Sequence, residues 1–321
     1  MPTACIEGSG ERLPIRGGPL AIEIRHLRKV YGRKVAVHDL DLVVQPGEVF
    51  GFLGPNGAGK TTTVKALLGL VRPTSGQALM FGQPAGEPAA RRRVGYLPEN
   101  FRFHDWLTGR DLLDFHGRLA GMSAADRRAR IPEVLELVGL AGRGGDRIRA
   151  YSKGMTQRIG IAQAILHQPD LVLLDEPTSA LDPVGRREVR DLIRSLQARG
   201  MTVFLNSHLL SEVELVCDRV AVVDRGRVVG SGQLADLVGD VPELRVTLDR
   251  IDSDVLDLLG SFGEVLELRD ATVRLGVTDV ECGPRVAEAV VRAGYRLYAL
   301  VPVHQTLEDV FLSLVEHTSD R

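Results

Sequence analysis

The chain has 321 residues, of which 44% are hydrophobic and 26% charged, a composition that suits a folded protein of two domains. Its net charge of −2 provides no basic field for nucleic acid, so no nucleic-acid partner is expected, and no apolar run approaches the roughly 20 residues that span a bilayer. The three cysteines, Cys5, Cys217 and Cys282, lie too far apart for a metal or redox motif and fit a reducing compartment.

The N-terminal part of the chain leads from an irregular segment into predicted strands. Residues 1–20 are rich in glycine and proline and lack the apolar stretch of a signal peptide, so a flexible extension is predicted there. The alternating segments 21–25 and 35–44 are predicted strands, and they lead to an apolar strand at Val49–Leu53.

A glycine-rich loop follows this strand, and residues 54–61 fit the pattern G-x-x-x-x-G-K-[ST]. The glycines let successive backbone N–H groups turn toward an anion, and the predicted helix that begins at Thr61 adds its unpaired N–H groups. Lys60 is placed to reach the β- and γ-phosphates of a nucleotide, and the Thr61 hydroxyl is a ligand for Mg²⁺. The predicted nucleotide-binding residues of this segment are Gly54, Pro55, Asn56, Gly57, Ala58, Gly59, Lys60, Thr61 and Thr62.

The pattern turns helical from about residue 100 to 157. Leu112, Phe115 and Leu119 share one face of a predicted helix. A second apolar face comprises Ile131, Val134, Leu135 and Val138. We predict a helical insertion between the two halves of an α/β core.

A second apolar strand, 171–174, ends in two carboxylates, Asp175 and Glu176. An acid at a strand end beside a phosphate-binding loop holds Mg²⁺ directly or through water, and Asp175 is the candidate. Glu176 is the candidate catalytic residue, because a neighbouring carboxylate can polarise a water for in-line attack on the γ-phosphate. A surface turn after a buried strand is the alternative interpretation, and the phosphate-binding loop upstream favours the functional one.

Further strands are predicted at 202–206 and 220–223, with helices between them, and 226–232 is predicted to be a closing hairpin. Strands that alternate with helices favour a mostly parallel sheet.

The pattern restarts beyond about residue 240, which predicts a separate C-terminal domain at 242–321. The predicted strands are 244–248, 265–268, 272–277 and 296–301, and the predicted helices are 253–262, 285–293 and 307–315. The order βαββαβ with a final helix is that of a small ferredoxin-like α+β domain.

The segment 151–158 carries the motif that points to a family. Ser152 is placed to cap a helix shortly before the Asp-Glu strand. This order of elements resembles the ATP-binding subunit of ABC transporters over about residues 21–235. The signature Leu-Ser-Gly-Gly-Gln of that family appears here as Tyr-Ser-Lys-Gly-Met, which keeps Ser152 and Gly154. The resemblance implies a P-loop NTPase core at 21–238, with a mostly parallel sheet, an antiparallel β subdomain and the helical insertion.

The resemblance also implies roles for single residues. Residues 179–182 match the D-loop, which contacts the opposite subunit in that family. His208 matches the switch histidine that bonds the γ-phosphate, and is therefore a catalytic candidate, although a lone His after a strand is more often structural. Tyr31 matches the aromatic that stacks on adenine, although in isolation it would be an ordinary core or surface tyrosine. Glu99 stands where the family usually has Gln, and is expected to bind Mg²⁺ and sense the γ-phosphate while adding negative charge near the phosphates.

The implied assembly is a head-to-tail dimer with a second copy or a paralogous ATP-binding subunit. Each ATP would lie between residues 54–61 of one subunit and residues 152–154 of the other. Integral membrane permease subunits would be the other partners, which would hold the chain at the cytoplasmic face of the membrane. Phe101, Phe103 and Trp106 are candidates to line the groove where the permease docks, and burial inside the helical insertion is an equal alternative.

The tail, residues 305–311, resembles the C-terminal domain of one exporter branch of the family, which implies export. Other classes remain open. A DNA-repair or chromosome ATPase of this type carries a long coiled coil between the two phosphate motifs, whereas about 90 residues without a heptad pattern separate Thr62 from Ser152 here. A translation ATPase usually carries two cassettes in tandem, and this sequence has one. A regulatory module that signals by ATP binding alone is the third alternative. The transported substrate is not predicted by the sequence.

Overall fold

The computed structural model describes residues 19–179, 181–238, 243–303 and 306–319. The predicted extension at 1–20 therefore lies outside the described residues, apart from residues 19 and 20. Ala180 of the predicted D-loop and Gln305 of the tail motif lie outside them as well.

A large sheet forms the first part of the chain, and it has ten strands within the described residues. These strands are β1 (Ile22–Tyr31), β2 (Lys34–Val44), β3 (Val49–Leu53), β4 (Ser75–Met80), β5 (Gln83–Pro84), β6 (Val94–Leu97), β7 (Leu171–Asp175), β8 (Thr202–Asn206), β9 (Arg219–Asp224) and β10 (Arg227–Gln233). Their spatial order is β5-β4-β1-β2-β10-β9-β3-β8-β7-β6.

Eight helices accompany this sheet in the described part of the chain. They are α1 (Lys60–Leu67), α2 (Pro88–Arg91), α3 (Gly109–Leu119), α4 (Ala124–Leu137), α5 (Lys153–Ile165), α6 (Pro183–Ala198), α7 (Leu210–Glu214) and α8 (Leu234–Val238).

Parallel pairing joins the strands that position the site. β6, β7, β8, β3 and β9 run parallel, whereas β1, β2, β4 and β5 pair antiparallel, as the sequence predicted for the two parts of the sheet. Every residue of β3, β7 and β8 is buried, and the rings of Phe50 and Phe204 stack with centroids 5.9 Å apart. Because the carboxyl ends of neighbouring parallel strands meet at one edge, the segments that follow β3, β7 and β8 come together there.

The helical insertion consists of α3, α4 and the start of α5. Its predicted apolar face on α4 is confirmed, since Ile131, Val134, Leu135 and Val138 are all buried. The face predicted on α3 is different. Leu112 is buried together with its neighbour Leu113, while Phe115 and Leu119 are exposed. The core face of α3 is centred between Leu112 and Leu113. Phe115 and Leu119 are rotated away from that centre around the helix axis, so their side chains reach solvent.

The C-terminal part forms a second, antiparallel sheet. Its elements are β11 (Glu243–Leu248), α9 (Ser253–Gly260), β12 (Gly263–Arg269), β13 (Thr272–Val277), α10 (Gly283–Arg292), β14 (Leu297–Val303) and α11 (Leu307–Ser319). The strand order is β12-β13-β11-β14, and α9 and α10 contribute to a core with one face of this sheet. The order of elements is the βαββαβ order expected from the sequence.

The last helix, α11, packs on the first part of the chain. Leu307 is buried in the core of the large sheet and its N–H donates to Glu214 Oε2 at 3.3 Å. Phe311 and Leu314 pack against the same core, and a Cβ on Gly230 would lie 2.7 Å from Leu314. Among the described helices, none combines the length and the apolar character needed to cross a bilayer.

Candidate functional site

The glycine-rich loop lies between β3 and α1, and its backbone approaches other segments closely. Gly59 has φ 101°, and a Cβ there would lie 2.5 Å from the carbonyl oxygen of Ala36. Only glycine fits this combination of left-handed backbone and close approach. α1 begins at the next residue, so its unpaired N–H groups open onto the loop.

Lys60 is buried and folds back onto the loop. Its Nζ donates to the carbonyl oxygens of Gly54 at 2.5 Å and Pro55 at 3.3 Å. Burial lowers the pKa of Lys60, and the carboxylates Glu176, Asp175 and Glu99 oppose that shift. The loop therefore holds a cation whose hydrogen bonds can be exchanged for phosphate oxygens.

Asp175 ends β7 beside Asn206, which ends β8, and the two residues pair across the strands. The Asn206 amide donates to Asp175 Oδ1. Burial raises the pKa of Asp175, the bond from Asn206 opposes the rise, and Glu99 and Glu176 add to it. Sequence reasoning did not identify Asn206 as a site residue. The available signal was a polar residue at the end of an otherwise apolar strand.

Glu176 has a left-handed backbone, with φ 52°, which is rare for a residue with a side chain. Its N–H donates to the Asn206 carbonyl at 2.8 Å, and its Oε1 lies 2.8 Å from Nδ1 of His208. Its Oε2 is buried and has no hydrogen-bond partner among the described residues. A buried acceptor without a partner is costly, so this oxygen is suited to receive a hydrogen bond from a bound water.

These groups line a cavity of about 170 Å³ at the strand ends. Its lining residues are Asn56, Lys60, Thr61, Glu99, Asp175, Glu176, Asn206 and His208. A neighbouring cavity of about 180 Å³ runs along the loop and is lined by Lys34, Ala36, Pro55, Asn56, Gly57, Gly59, Lys60, Thr61 and Thr62.

The charge in this region is strongly negative. The cavity is lined by three carboxylates and one lysine. Burial, together with the charges of Asp175 and Glu99, raises the pKa of the nearby Tyr96 to about 12. Hydroxyl and carboxylate oxygens from Thr61, Asp175 and Glu99 are the donors that hard divalent cations prefer. The residues present therefore fit a nucleotide bound together with such a cation.

Comparison with known proteins gives the family. The profile described as ABC transporter matches residues 37–179. An uncharacterized ABC transporter ATP-binding protein of Nostoc sp. (strain PCC 7120) is 44% identical over 254 residues, which cover 76% of this chain and 76% of that protein. This chain belongs to the family of ABC transporter ATP-binding proteins.

Two further similarities extend over most of this ABC subunit. The Nod factor export ATP-binding protein I of Cupriavidus metallidurans is 38% identical and covers 91% of this chain and 96% of its own length. A solved ATP-binding subunit of an ABC transporter is 31% identical with a TM-score of 0.62, and covers 68% of this chain and 91% of that chain. The predicted family, the P-loop NTPase fold and the ATPase activity are thereby confirmed.

Three predicted nucleotide-binding residues of this ABC subunit lie apart from the cavities. Tyr31 is exposed at the end of β1, with Lys29 Nζ 4.8 Å above its ring. Ser152 caps α5, where its hydroxyl accepts from the Met155 N–H at 3.2 Å, and neither it nor Gly154 lines the two cavities. The structure therefore gathers the predicted residues around Lys60 without Tyr31, Ser152 or Gly154.

Phe101, Phe103 and Trp106 had two possible roles, burial inside the helical insertion or contact with a permease, and the structure treats them differently. Phe101 and Phe103 are half-buried, contact each other with ring centroids 5.1 Å apart, and pack against the core. Trp106 is 67% exposed and stacks on His104 at 4.4 Å. Burial accounts for the two phenylalanines, and Trp106 is available to a partner.

Proposed function

We propose that this ATPase subunit powers an ABC exporter by closing a head-to-tail dimer on ATP. The proposal rests on one observation, that the cavity lacks part of the predicted nucleotide-binding residues. Lys60, Asp175, Glu176 and His208 share one cavity, while Ser152 lies elsewhere on the surface. A second copy would supply Ser152 and the backbone N–H groups of α5 to the open side of the nucleotide.

The chemistry of the two sides is complementary. The N-terminus of α5 is exposed and carries the positive end of a helix of 13 residues. The nucleotide phosphates would lie between this positive end and Lys60. Mg²⁺, held by Thr61, Asp175 and Glu99, would neutralise phosphate charge that three carboxylates otherwise repel.

Hydrolysis would then depend on the chain's own residues at the γ-phosphate. Glu176 would accept a hydrogen bond from the attacking water, since its Oε2 has no other partner among the described residues. His208, which contacts Oε1 of the same carboxylate, would hold Glu176 in place and donate to the phosphate. Loss of the γ-phosphate would remove the contacts that bridge the two copies and open the dimer.

Replacing Ser152 tests the shared site. Ser152→Ala is expected to raise the concentration of a non-hydrolysable ATP analogue needed for dimerisation by about tenfold, because a charge-assisted hydrogen bond across the interface is lost. Binding of the analogue to the monomer should not change. Sedimentation velocity, at protein concentrations where the chain is monomeric without nucleotide, measures dimerisation, and fluorescent-nucleotide titration measures binding to the monomer.

Ser123→Ala is the matched control for this experiment. Ser123 caps α4 in the same way, accepting from the Asp126 N–H at 3.1 Å, so it loses an equivalent cap away from the proposed interface. Equal loss of monomer binding and dimerisation in Ser152→Ala would contradict the shared site.

Export is the proposed direction of transport. Similarity to a protein named for Nod factor export covers nearly the whole chain, including its C-terminal part. Inverted vesicles that hold the permease and this subunit would take up the exported compound when ATP is added outside them.

The permease is proposed to dock beside α3, which would hold the subunit peripherally at the cytoplasmic face of the membrane. A cavity of about 820 Å³ lies between α2, α3 and α5, and Leu119, 70% exposed, lines it. Phe115 and Trp106 are exposed on the same helical insertion. Three exposed large apolar side chains on α3 and the segment before it support a protein contact.

Removing the two most exposed of these side chains tests the docking surface. Trp106→Ala combined with Leu119→Ala is expected to reduce recovery of the permease in co-purification about tenfold, because exposed anchors carry much of an interface's energy. Folding and basal ATPase activity should be retained. Leu70→Ala is the control, since Leu70 is 65% exposed and lies outside the helical insertion. Unchanged permease recovery would contradict this docking surface.

A further inference from the structure

The strand β12 forms one edge of the C-terminal sheet. In the order β12-β13-β11-β14 it stands at the end, and no strand of the described part of the chain pairs with its outer side. Residues 264–269 are all exposed, and Val265, Leu266 and Leu268 are exposed by 36%, 43% and 51%. An edge strand presents backbone N–H and C=O groups with which another strand can pair.

A bulge inside β12 decides which of its side chains share a face. Val265 pairs with Leu275 and Glu267 pairs with Arg274, so Leu266 is an extra residue. The Leu266 side chain lies over β13, where a Cβ on Gly276 would be 3.2 Å from its Cδ1. The bulge reverses the alternation of faces for all residues that follow it.

The consequence is an arrangement with apolar residues on one face and opposite charges on the other. Val265 and Leu268 pair with buried positions of β13, so they lie on the face that α9 and α10 cover. Glu264 and Arg269 pair with positions of β13 that are not buried, and lie together on the open face. Neither Glu264 nor Arg269 forms an ion pair with another described residue.

This arrangement is complementary to itself under a two-fold axis perpendicular to the sheet. If Val265 lies opposite Leu268 of a second copy in antiparallel pairing, then Glu264 lies opposite Arg269 of that copy. The symmetry repeats each contact, which gives two apolar pairs and two ion pairs, and between them it places Leu266 opposite Glu267 of the other copy twice, on the open face. Residues directly opposite each other must have their side chains on the same face of the sheet. Without the bulge, Val265 and Leu268 would lie on opposite faces, and so would Glu264 and Arg269. A shift of one residue in either direction would oppose residues of different faces.

We infer that the β12 edge binds a second copy of this chain, extending the four-stranded sheet into a continuous sheet of eight strands. This contact needs no nucleotide. It would keep two copies together while the ATP sites are open, so that closing on ATP becomes an intramolecular step at high effective concentration. For both contacts to form in one closed pair, the β12 contact and the ATP contact must share a single two-fold axis.

A charge exchange tests the contact without nucleotide. Glu264→Arg and Arg269→Glu are each expected to raise the dissociation constant of the dimer at least about tenfold, since each places like charges opposite each other twice. The double variant restores both pairs and should return to within about threefold of the natural chain. The two residues are about 15 Å apart along one strand, so they cannot pair within a chain and rescue requires a second copy. Sedimentation equilibrium measures the dissociation constants.

Glu281→Arg is the control, because it reverses an equally exposed charge outside β12 and should leave association unchanged. A natural chain that stays monomeric without nucleotide, or a double variant as weak as the single ones, would overturn the inference. Dimerisation with an ATP analogue in a chain that is monomeric without it would leave the proposed function standing while this inference fails.

Disulfide formation tests the register independently of any effect on folding. In a background with Cys5→Ser and Cys282→Ser, a mixture of Val265→Cys and Leu268→Cys proteins should cross-link at least about tenfold faster than either protein alone, because only the mixture places two thiols opposite each other. Equal cross-linking rates in the mixture and in either protein alone would overturn the inference.

Discussion

Glu176→Gln is expected to lower the rate of ATP hydrolysis at least about a hundredfold while leaving ATP binding intact. Gln keeps the shape of the side chain and the left-handed backbone at this position, but its amide cannot polarise a water as a carboxylate does. The carboxylate is suited to that role because its Oε2 is buried without a partner among the described residues and its Oε1 is held by His208. Phosphate release measures the rate.

The same variant should accumulate as an ATP-bound dimer, because binding closes the two copies and hydrolysis no longer separates them. At protein concentrations below the dissociation constant of the nucleotide-free contact, size-exclusion chromatography with ATP would show a dimer peak that the natural chain does not retain at steady state. Glu188→Gln is the control, since Glu188 is a half-exposed carboxylate on α6 outside the cavity. Near-normal hydrolysis by Glu176→Gln would remove Glu176 from the catalytic role and leave the ATP site itself in place.

Lys60→Ala is expected to weaken ATP binding by about tenfold to a hundredfold, the cost of losing a charged hydrogen bond to phosphate. The affinity change appears directly in thermal stability. A nucleotide present at 100 times its dissociation constant stabilises the folded chain by about 2.7 kcal/mol. At the same concentration, about 1.4 kcal/mol should remain after a tenfold loss of affinity and about 0.4 kcal/mol after a hundredfold loss. Differential scanning fluorimetry with and without ATP measures it.

Lys65→Ala is the control for the lysine, because Lys65 lies on α1 with its side chain exposed. An ATP-dependent stabilisation in Lys60→Ala equal to that of the natural chain would contradict the role of Lys60.

Lys60→Ala should also change how stability without nucleotide depends on pH. The pKa of Asp175 is raised by burial, and Lys60 opposes that rise. A carboxyl group with a raised folded-state pKa lowers the free energy of unfolding as the pH rises through that pKa. Without Lys60 this effect is larger, so the variant should lose the most stability at neutral pH and regain stability as the pH falls. Chemical denaturation at two pH values, one near 5 and one near 8, would show the difference. A loss independent of pH would indicate that Lys60 acts by packing alone.

Local sequence signals predicted much of the fold. β3, the glycine-rich loop and the start of α1 form one contiguous segment, so the pattern of apolar residues and glycines was sufficient. The strands β4 and β6 were not predicted. β4 is exposed over its first three residues, so its apolar pattern is weak. β6 has only four residues and is a strand because it pairs along β7, whose residues lie more than 70 positions away. In the C-terminal sheet, β11 and β13 were predicted because their residues alternate between buried and open faces.

The exposed face of α3 shows where a sequence pattern is ambiguous. Leu112, Phe115 and Leu119 have the spacing of one helix face, which describes an apolar face without saying what covers it. Only the packing of α4 and α5 determined that Leu112 is buried while Phe115 and Leu119 reach the surface.

The sequence by itself determined the chemistry of the phosphate-binding loop, the acidic end of β7 and the family to which the chain belongs, because these depend on residues close together in the chain. The tertiary structure decided which distant residues meet. It brought Asn206 to Asp175 across 31 positions and His208 to Glu176, since parallel pairing aligns the carboxyl ends of β7 and β8. It also left Ser152 outside the cavity, because the helix that Ser152 caps belongs to the helical insertion, apart from the strand ends that carry Lys60 and Glu176.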